Sequence, residues 1–225
     1  MKTITSTGRT CPPPYIPSSE KMTMERLQGA YDEIADGYEK MLWFDQHILG
    51  VARHRRQLIS RASGRILDLA CGTGLNFPFF PPTSEIIAVD LSPRMLDVAR
   101  QKAKYLNLNV QAQIMDAGKL EFGDAGFDTV TSTLSTCTFP DPIQALREMQ
   151  RVCRPDGLIL LLEHGHSSMP WLAQYQDRHV FQHYQQTAGC RWNQDPVDLV
   201  KTAGLKILNS QRFGLGMFYA IVAAP

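Results

Sequence analysis

The sequence has almost no net charge. Its 225 residues carry 23 Lys+Arg against 22 Asp+Glu, which excludes the strong basic excess of a dedicated nucleic-acid binder. Long apolar runs are also missing. Runs such as Leu158 to Leu162 and Met217 to Ala224 fall far short of the ~20 residues needed to cross a bilayer. No apolar core follows Lys2, so a secretory signal is not expected. Cysteine is sparse and unpaired in spacing: Cys11, Cys71, Cys137, Cys153 and Cys190 form no Cys-x-x-Cys. That excludes a zinc ribbon or a thioredoxin motif, predicts no metal site, and leaves free thiols in a reducing compartment as the default. The expectation is a cytoplasmic protein with no nucleic-acid partner, no transmembrane segment and at most peripheral membrane contact.

What remains is ordinary globular material, 44% hydrophobic and 20% charged, enough for one α/β domain without staples. Residues 1–21 are polar, carry Pro12, Pro13, Pro14 and Pro17, and read as a flexible arm. From Met22 to about residue 61 the pattern is helical. Tyr31, Ile34, Tyr38 and Met41 share one face, and Gly37 divides this cap into two helices. After Gly64 the period shortens. Strands are expected at Ile66 to Leu69, Glu85 to Val89, Val110 to Met115, Phe127 to Ser132 and Leu158 to Leu162. Helices are expected from Pro93 to about Tyr105 and from Pro142 to Val152. Arg154-Pro155-Asp156-Gly157 reads as a tight turn before the fifth strand.

Strands alternating with helices predict a doubly wound α/β sheet, mostly parallel. Residues 164–194 read as an insertion with a helix from Pro170. Residues 195–225 read as a helix at Asp195-Pro196, then two strands around Gly214-Leu215-Gly216, a hairpin that makes the last strand antiparallel.

Three features fall at the carboxyl ends of neighbouring strands, where open α/β sheets bind ligands. The first is the Gly-x-Gly turn Cys71-Gly72-Thr73-Gly74, a weak signal alone. The second is Asp90, 22 positions after Asp68, suited to both ribose hydroxyls of a nucleoside. The third is Asp116-Ala117, placed to bracket an adenine. A nicotinamide dinucleotide would want a third glycine where the bulky Phe77 stands. Asp68 favours a cationic ligand over a phosphate, which suits S-adenosylmethionine better.

Asp68-Leu-Ala-Cys-Gly-Thr-Gly74, Val89-Asp90-Leu-Ser-Pro-Arg-Met95, Asp116-Ala117 and Arg154-Pro-Asp-Gly157 resemble, in order and spacing, the motifs of class I S-adenosylmethionine-dependent methyltransferases. The resemblance covers about residues 62–163. It implies a seven-stranded Rossmann-like sheet with an antiparallel last strand, and S-adenosylmethionine as cofactor. It further implies that Asp68, Ala70, Gly72, Thr73 and Gly74 take the methionine end and that Asp90 takes the ribose. By the same resemblance Leu91 and Met95 border the adenine, Asp116 and Ala117 read its edge, and Thr133 meets the methionine amino group; for Leu91 and Met95 core packing is the alternative. Tyr31-Asp32-Glu-Ile-Ala35-Asp-Gly-Tyr38 resembles the N-terminal helix of the quinone and phospholipid methyltransferases, which adds Tyr31 to that site. Glu163-His164-Gly165 and Gly189-Cys190-x-Trp192-Asn193-x-Asp195 resemble the alkyl thiol methyltransferase branch.

Methyl transfer from a sulfonium needs in-line alignment and exclusion of water, and a base only where the acceptor arrives protonated. His164 and His166 follow the fifth strand and are the base candidates, the alternative being loop histidines bonded to backbone or solvent. Glu163 could orient either ring. Tyr38 could position the acceptor beside Tyr31. Trp171, Tyr175 and His179, at four-residue spacing, read as a lid or as plain packing. Cys137 and Cys190 read as small buried hydrophobes rather than an arsenic or redox site. Arg53, His54, Arg55 and Arg56 read as a solvated helix face, with anionic lipid headgroups as the alternative. The expected acceptor is a small, fairly apolar or lipid-like molecule, first a thiol, with a phospholipid headgroup or quinone-type ring as alternative. A non-catalytic cofactor-binding module carries the same motifs.

Overall fold

The computed structural model describes residues 22–225, so the arm at 1–21 lies outside the described residues. Seven strands form one sheet: β1 (Arg65–Leu69), β2 (Glu85–Asp90), β3 (Val110–Ile114), β4 (Phe127–Thr133), β5 (Cys153–His164), β6 (Lys206–Phe213) and β7 (Phe218–Ala224). Their order is β3-β2-β1-β4-β5-β7-β6. Strands β1 to β5 pair in parallel, and β7 runs antiparallel to both β5 and β6. This is the mostly parallel sheet the alternating pattern predicted, with the seven strands and Rossmann-like order that the resemblance implied.

Alternate residues of each central strand enter two separate cores, as the two-residue period of a strand requires. Leu67, Leu69, Val130 and Ile159 pack with Leu146 and Met149 of α6 (Pro142–Val152) and Val200 of α8 (Pro196–Ala203). Ile66, Ile86, Leu160 and Leu162 pack with Leu58 and Ile59 of α4 (Val51–Ile59) and Leu96 and Ala99 of α5 (Pro93–Tyr105). With both faces covered, the strands need apolar residues at nearly every position, and so read as continuous apolar runs. Each of α5, α6 and α8 starts with a proline behind a capping Ser92, Asp141 or Asp195, a start that leaves few orphan N–H groups.

Two expectations need correction. The cap is not two helices: α1 (Met24–Ile34), a 3-10 turn over Ala35–Gly37, α2 (Tyr38–Met41), α3 (Trp43–His47) and α4 succeed one another. The chain turns at Leu42 and again at Gly50, whose φ is +81°. The turn at residues 154–157 is no separate element either. It is a bulge inside β5, because Phe127 pairs with Cys153 while Thr129 pairs with Leu158. A bulge absorbs the extra residues without breaking the ladder.

Candidate active site

The sheet reverses its winding between β1 and β4, and a cavity of about 260 Å³ opens there above the carboxyl ends of the strands, where such a fold places its ligand. The chain leaves β1 through Ala70 (φ +51°), Gly72 (φ +55°) and Gly74 (φ +76°). A side chain at Gly74 would lie 2.6 Å from the Phe77 ring, so that position requires glycine. The Gly72 N–H donates to Asp90 Oδ2 at 2.8 Å, and the Ser92 N–H donates to Asp90 Oδ1 at 2.9 Å. Asp90 therefore ties the end of β2 to the glycine turn. Burial raises its carboxyl above the ordinary value, against the lowering effect of the Ser92 and Gly72 amides.

Tyr31, Ala70, Gly72, Asp90, Leu91, Met95, Asp116, Ala117 and Thr133 line this cavity. The other three residues expected here lie behind its wall. Asp68 is wholly buried and accepts from Asn76 Nδ2 at 2.8 Å and Thr131 Oγ1 at 2.6 Å. Thr73 donates to Glu39 Oε1 at 2.9 Å, which tethers the helical cap to the glycine turn. Gly74 packs on Phe77. The cap is fixed a second time where Ser92 Oγ donates to Asp32 Oδ1 at 2.6 Å.

Beneath the turn lies a residue that the charge run concealed. Arg55 is only 3% exposed, and its Nη1 donates to Asn76 Oδ1 at 2.6 Å and to Thr133 Oγ1 at 2.7 Å. Arg55 thus reaches Asp68 through Asn76, and the solvated-face reading fails for it. Burial raises the Asp68 carboxyl from 3.8 to about 6, although Thr131, Asn76 and Arg55 all pull it down.

A second cavity, about 910 Å³, adjoins the first, and both have Tyr31, Tyr38, Leu134 and Thr138 in their walls. Tyr31 and Tyr38 meet edge to face with ring centroids 6.2 Å apart. Burial pushes the Tyr38 hydroxyl upward, so at neutral pH it remains protonated and acts as a donor. Leu134 sits at φ +56°, a conformation that costs a non-glycine residue about 1–2 kcal/mol, and it is held there by its N–H bond of 2.7 Å to Leu162 O. Backbone strain at the junction of two cavities is the kind that clusters at functional sites.

The base candidates separate. His164 lines the larger cavity, with its Nε2 3.3 Å from Cys190 Sγ. Burial disfavours its charged form, but Cys137, Glu163 and Asp45 outweigh burial and hold the ring up at about 9. The ring is therefore engaged with the neighbouring thiols rather than free in the cavity. His166 lines neither cavity; its ring lies 3.3 Å from Asp177 Oδ2. Glu163 orients no imidazole, because its carboxylate accepts the Ser135 and Thr136 N–H groups at 3.0 and 3.2 Å.

The expected lid helix is α7 (Pro170–Gln186), but Trp171 and Tyr175 are 61% and 49% exposed. From this insertion the cavity takes instead His183 and Trp192, stacked with centroids 4.0 Å apart. Burial lowers the His183 ring to about 4. Buried Gln176 holds this segment down: its amide takes the Ser167 N–H at 2.8 Å and donates to Gly165 O and Trp192 O at 3.0 and 2.9 Å.

Gly165 lies where β5 meets the lid, and an added Cβ there would stand 2.3 Å from Gln194 O. Backbone on backbone leaves no flexible side chain to give way. Gly165→Ala is therefore expected to cost about 1–3 kcal/mol, read as a lower midpoint in denaturant. An unchanged midpoint would mean the two segments can part freely.

The sequence matches the family described as "Methyltransferase domain" over residues 67–161. These residues contain β1, β2, β3, β4 and most of β5, together with the glycine turn and Asp90. Residues 67–161 thus form a methyltransferase domain. The yeast protein "Methyltransferase OMS1, mitochondrial" of Saccharomyces cerevisiae is 26% identical over 212 residues, 86% of this chain and 45% of its own. The demethylmenaquinone methyltransferase of Lactococcus lactis is 32% identical over 165 residues, 69% of this chain and 65% of its own. The chain thus spans less than two thirds of either relative.

A solved structure from Thermotoga maritima, described as a SAM-dependent methyltransferase, shares the fold. It has a TM-score of 0.66 and 20% identity, covering 88% of this chain and 99% of that one. Among the described residues no helix is long and apolar enough to cross a membrane. In the methyltransferase domain the smaller cavity is of a chemistry that suits S-adenosylmethionine: a carboxylate, Asp90, at the β2 end, apolar Leu91 and Met95, and, among the described residues, no cationic side chain in its wall.

Proposed function

We propose that the protein transfers a methyl group from S-adenosylmethionine to a largely apolar small molecule held in the larger cavity. The observation that carries this reading is the wall common to the two cavities, formed by Tyr31, Tyr38, Leu134 and Thr138. A cofactor in the smaller cavity and an acceptor in the larger one would meet at that wall, the geometry an in-line displacement requires. The chain's part is to hold both molecules, to keep water out with α1, α2 and the lid, and to present the Tyr38 hydroxyl as a donor. The developing neutral sulfur needs no acid.

A quinone-type ring is the acceptor class we favour. The likeness to the demethylmenaquinone methyltransferase supports it, as do the apolar Ile34, Met41, Leu42 and Phe218 in the cavity wall. A thiol is the second reading, favoured by the soft side chains Cys137, His164 and Cys190 at one end of that cavity. The test is S-adenosylhomocysteine release from the purified protein with a demethylated quinol, an alkyl thiol or phosphatidylethanolamine vesicles, against cofactor alone. Turnover with the quinol alone supports the first reading, and turnover with the thiol alone replaces it by the second. Tight cofactor binding without turnover on any acceptor would turn the reading to a non-catalytic module.

Met41 is 60% exposed and belongs to the wall of the larger cavity only. Met41→Glu, a charge on the apolar path, is expected to raise the acceptor KM roughly tenfold with the cofactor KM unchanged. A change in the cofactor KM instead would place the acceptor elsewhere.

A further inference from the structure

Cys137, His164 and Cys190 are far apart in the sequence, yet their Sγ and ring-nitrogen atoms all lie within 4.8 Å of one another. The segment after β4, the end of β5 and the segment after α7 each supply one. Both cysteines are free and buried, at 2% and 6% exposure. All three residues lie in the wall of the larger cavity.

The grouping is built rather than incidental. The Arg191 N–H and Nε both donate to Cys137 O, at 3.0 and 3.2 Å, which fastens the Cys190 segment to the Cys137 loop. Ala188 (φ +49°) and Gly189 (φ +79°) turn the chain through the left-handed region immediately before Cys190. His164 is fixed by its ladder partner Phe218.

We propose that Cys137, His164 and Cys190 bind a thiophilic divalent cation, Zn2+, on the wall of the acceptor cavity. Two thiolates and an imidazole within this span are a donor set that Zn2+ takes at about 2.3 and 2.0 Å. Three protein ligands beside a cavity leave the fourth position of a tetrahedral ion open to whatever enters there. The spacing motifs that reveal zinc sites in a sequence are absent because the fold, not a local loop, assembles this one. Binding would release the protons of the two thiols and of any imidazolium to solvent. If the protein is the methyltransferase proposed above, the ion faces the acceptor; metal uptake itself does not depend on that reading.

The test uses the reduced 225-residue chain with Co2+ and Zn2+ as probes. The expected result is one ion per chain after gel filtration, with a thiolate-to-cobalt charge-transfer band and tetrahedral ligand-field bands, bleached by Zn2+. Cys137→Ser and Cys190→Ser should each weaken uptake roughly a hundredfold, and Cys153→Ser, a buried cysteine outside the cluster, should leave it unchanged. S-adenosylhomocysteine binding reports whether each variant is folded. Should a serine variant fail to fold, alkylation of the wild-type chain reads the same site: Zn2+ should protect Cys137 and Cys190 together. An uptake indifferent to Cys137→Ser, equal alkylation with and without Zn2+, or a reduced chain that takes no ion and reoxidises to a Cys137–Cys190 disulfide would each overturn the proposal. Loss of methyl transfer with metal uptake intact would count against the function alone.

Discussion

Asp90→Ala is expected to weaken S-adenosylhomocysteine binding about a hundredfold, measured by calorimetry. Both Asp90 oxygens already accept a backbone N–H, from Gly72 at 2.8 Å and Ser92 at 2.9 Å. A carboxylate has about four acceptor sites, so two remain for the ribose hydroxyls at the cavity wall. Each hydrogen bond to a charged group contributes about 1.5–3 kcal/mol. Two at the lower end give about 3 kcal/mol, which is a little over a hundredfold in Kd. The same substitution frees the Gly72 amide and loosens the turn, which moves the effect in the same direction. Asp97→Ala removes only an exposed pairing with Arg100 and should leave the affinity within about twofold. If the two variants bind alike, the ribose does not lie at Asp90, and the placement of the cofactor falls with it.

The difference between these two aspartates is legible in the sequence. Asp90 closes an apolar strand at a fixed distance from a glycine turn, whereas Asp97 sits on the polar face of a helix. Elements with a strong period are equally legible: the Ser92-Pro93 start, the helix from Pro142 and the terminal hairpin come from capping chemistry and from the two-residue alternation. Contacts between distant segments are not. Nothing local distinguishes His164 from His166; only the β5–β7 pairing decides that one faces the cavity and the other the Asp177 carboxylate. The Cys137, His164 and Cys190 grouping is likewise a product of the fold.

Arg55 is a different kind of miss, because a signal exists. Val51, Arg55, Leu58 and Ile59 are the buried residues of α4, and steps of four, three and one place them on a single stripe. The flanking Arg53 and Arg56 hide an arginine that occupies an apolar position.

That position sets the second large effect. Arg55→Met keeps an unbranched apolar stem but removes the cation that favours the charged form of wholly buried Asp68, whose Oδ2 already has no hydrogen-bond partner. It also leaves Asn76 Oδ1 without the Arg55 donor. Removing one member of a buried charged network costs about 3–5 kcal/mol, a large share of the roughly 5–15 kcal/mol that holds a domain folded. At about 2–4 °C per kcal/mol for a domain of this size, Tm should fall by roughly 10 °C at pH 7.

The loss should depend on pH, with a defined sign. The Asp68 carboxyl has its pKa raised from 3.8 to about 6 in the folded protein, so the native state binds the proton more tightly than the unfolded chain. Its contribution to stability is then greatest below pH ~4 and declines as pH rises to ~6. Without Arg55, one of the influences holding that pKa down is gone, and the decline should extend above pH 6. The gap between wild type and Arg55→Met should therefore be smallest near pH 4 and widen towards pH 7. Adding Asp68→Asn to Arg55→Met should narrow the gap again, because the neutral amide needs no cation. Denaturant midpoints measured across this range decide the matter. A gap that is constant with pH and indifferent to Asp68→Asn would make Arg55 a packing residue and end its role as the counter-charge beneath the glycine turn.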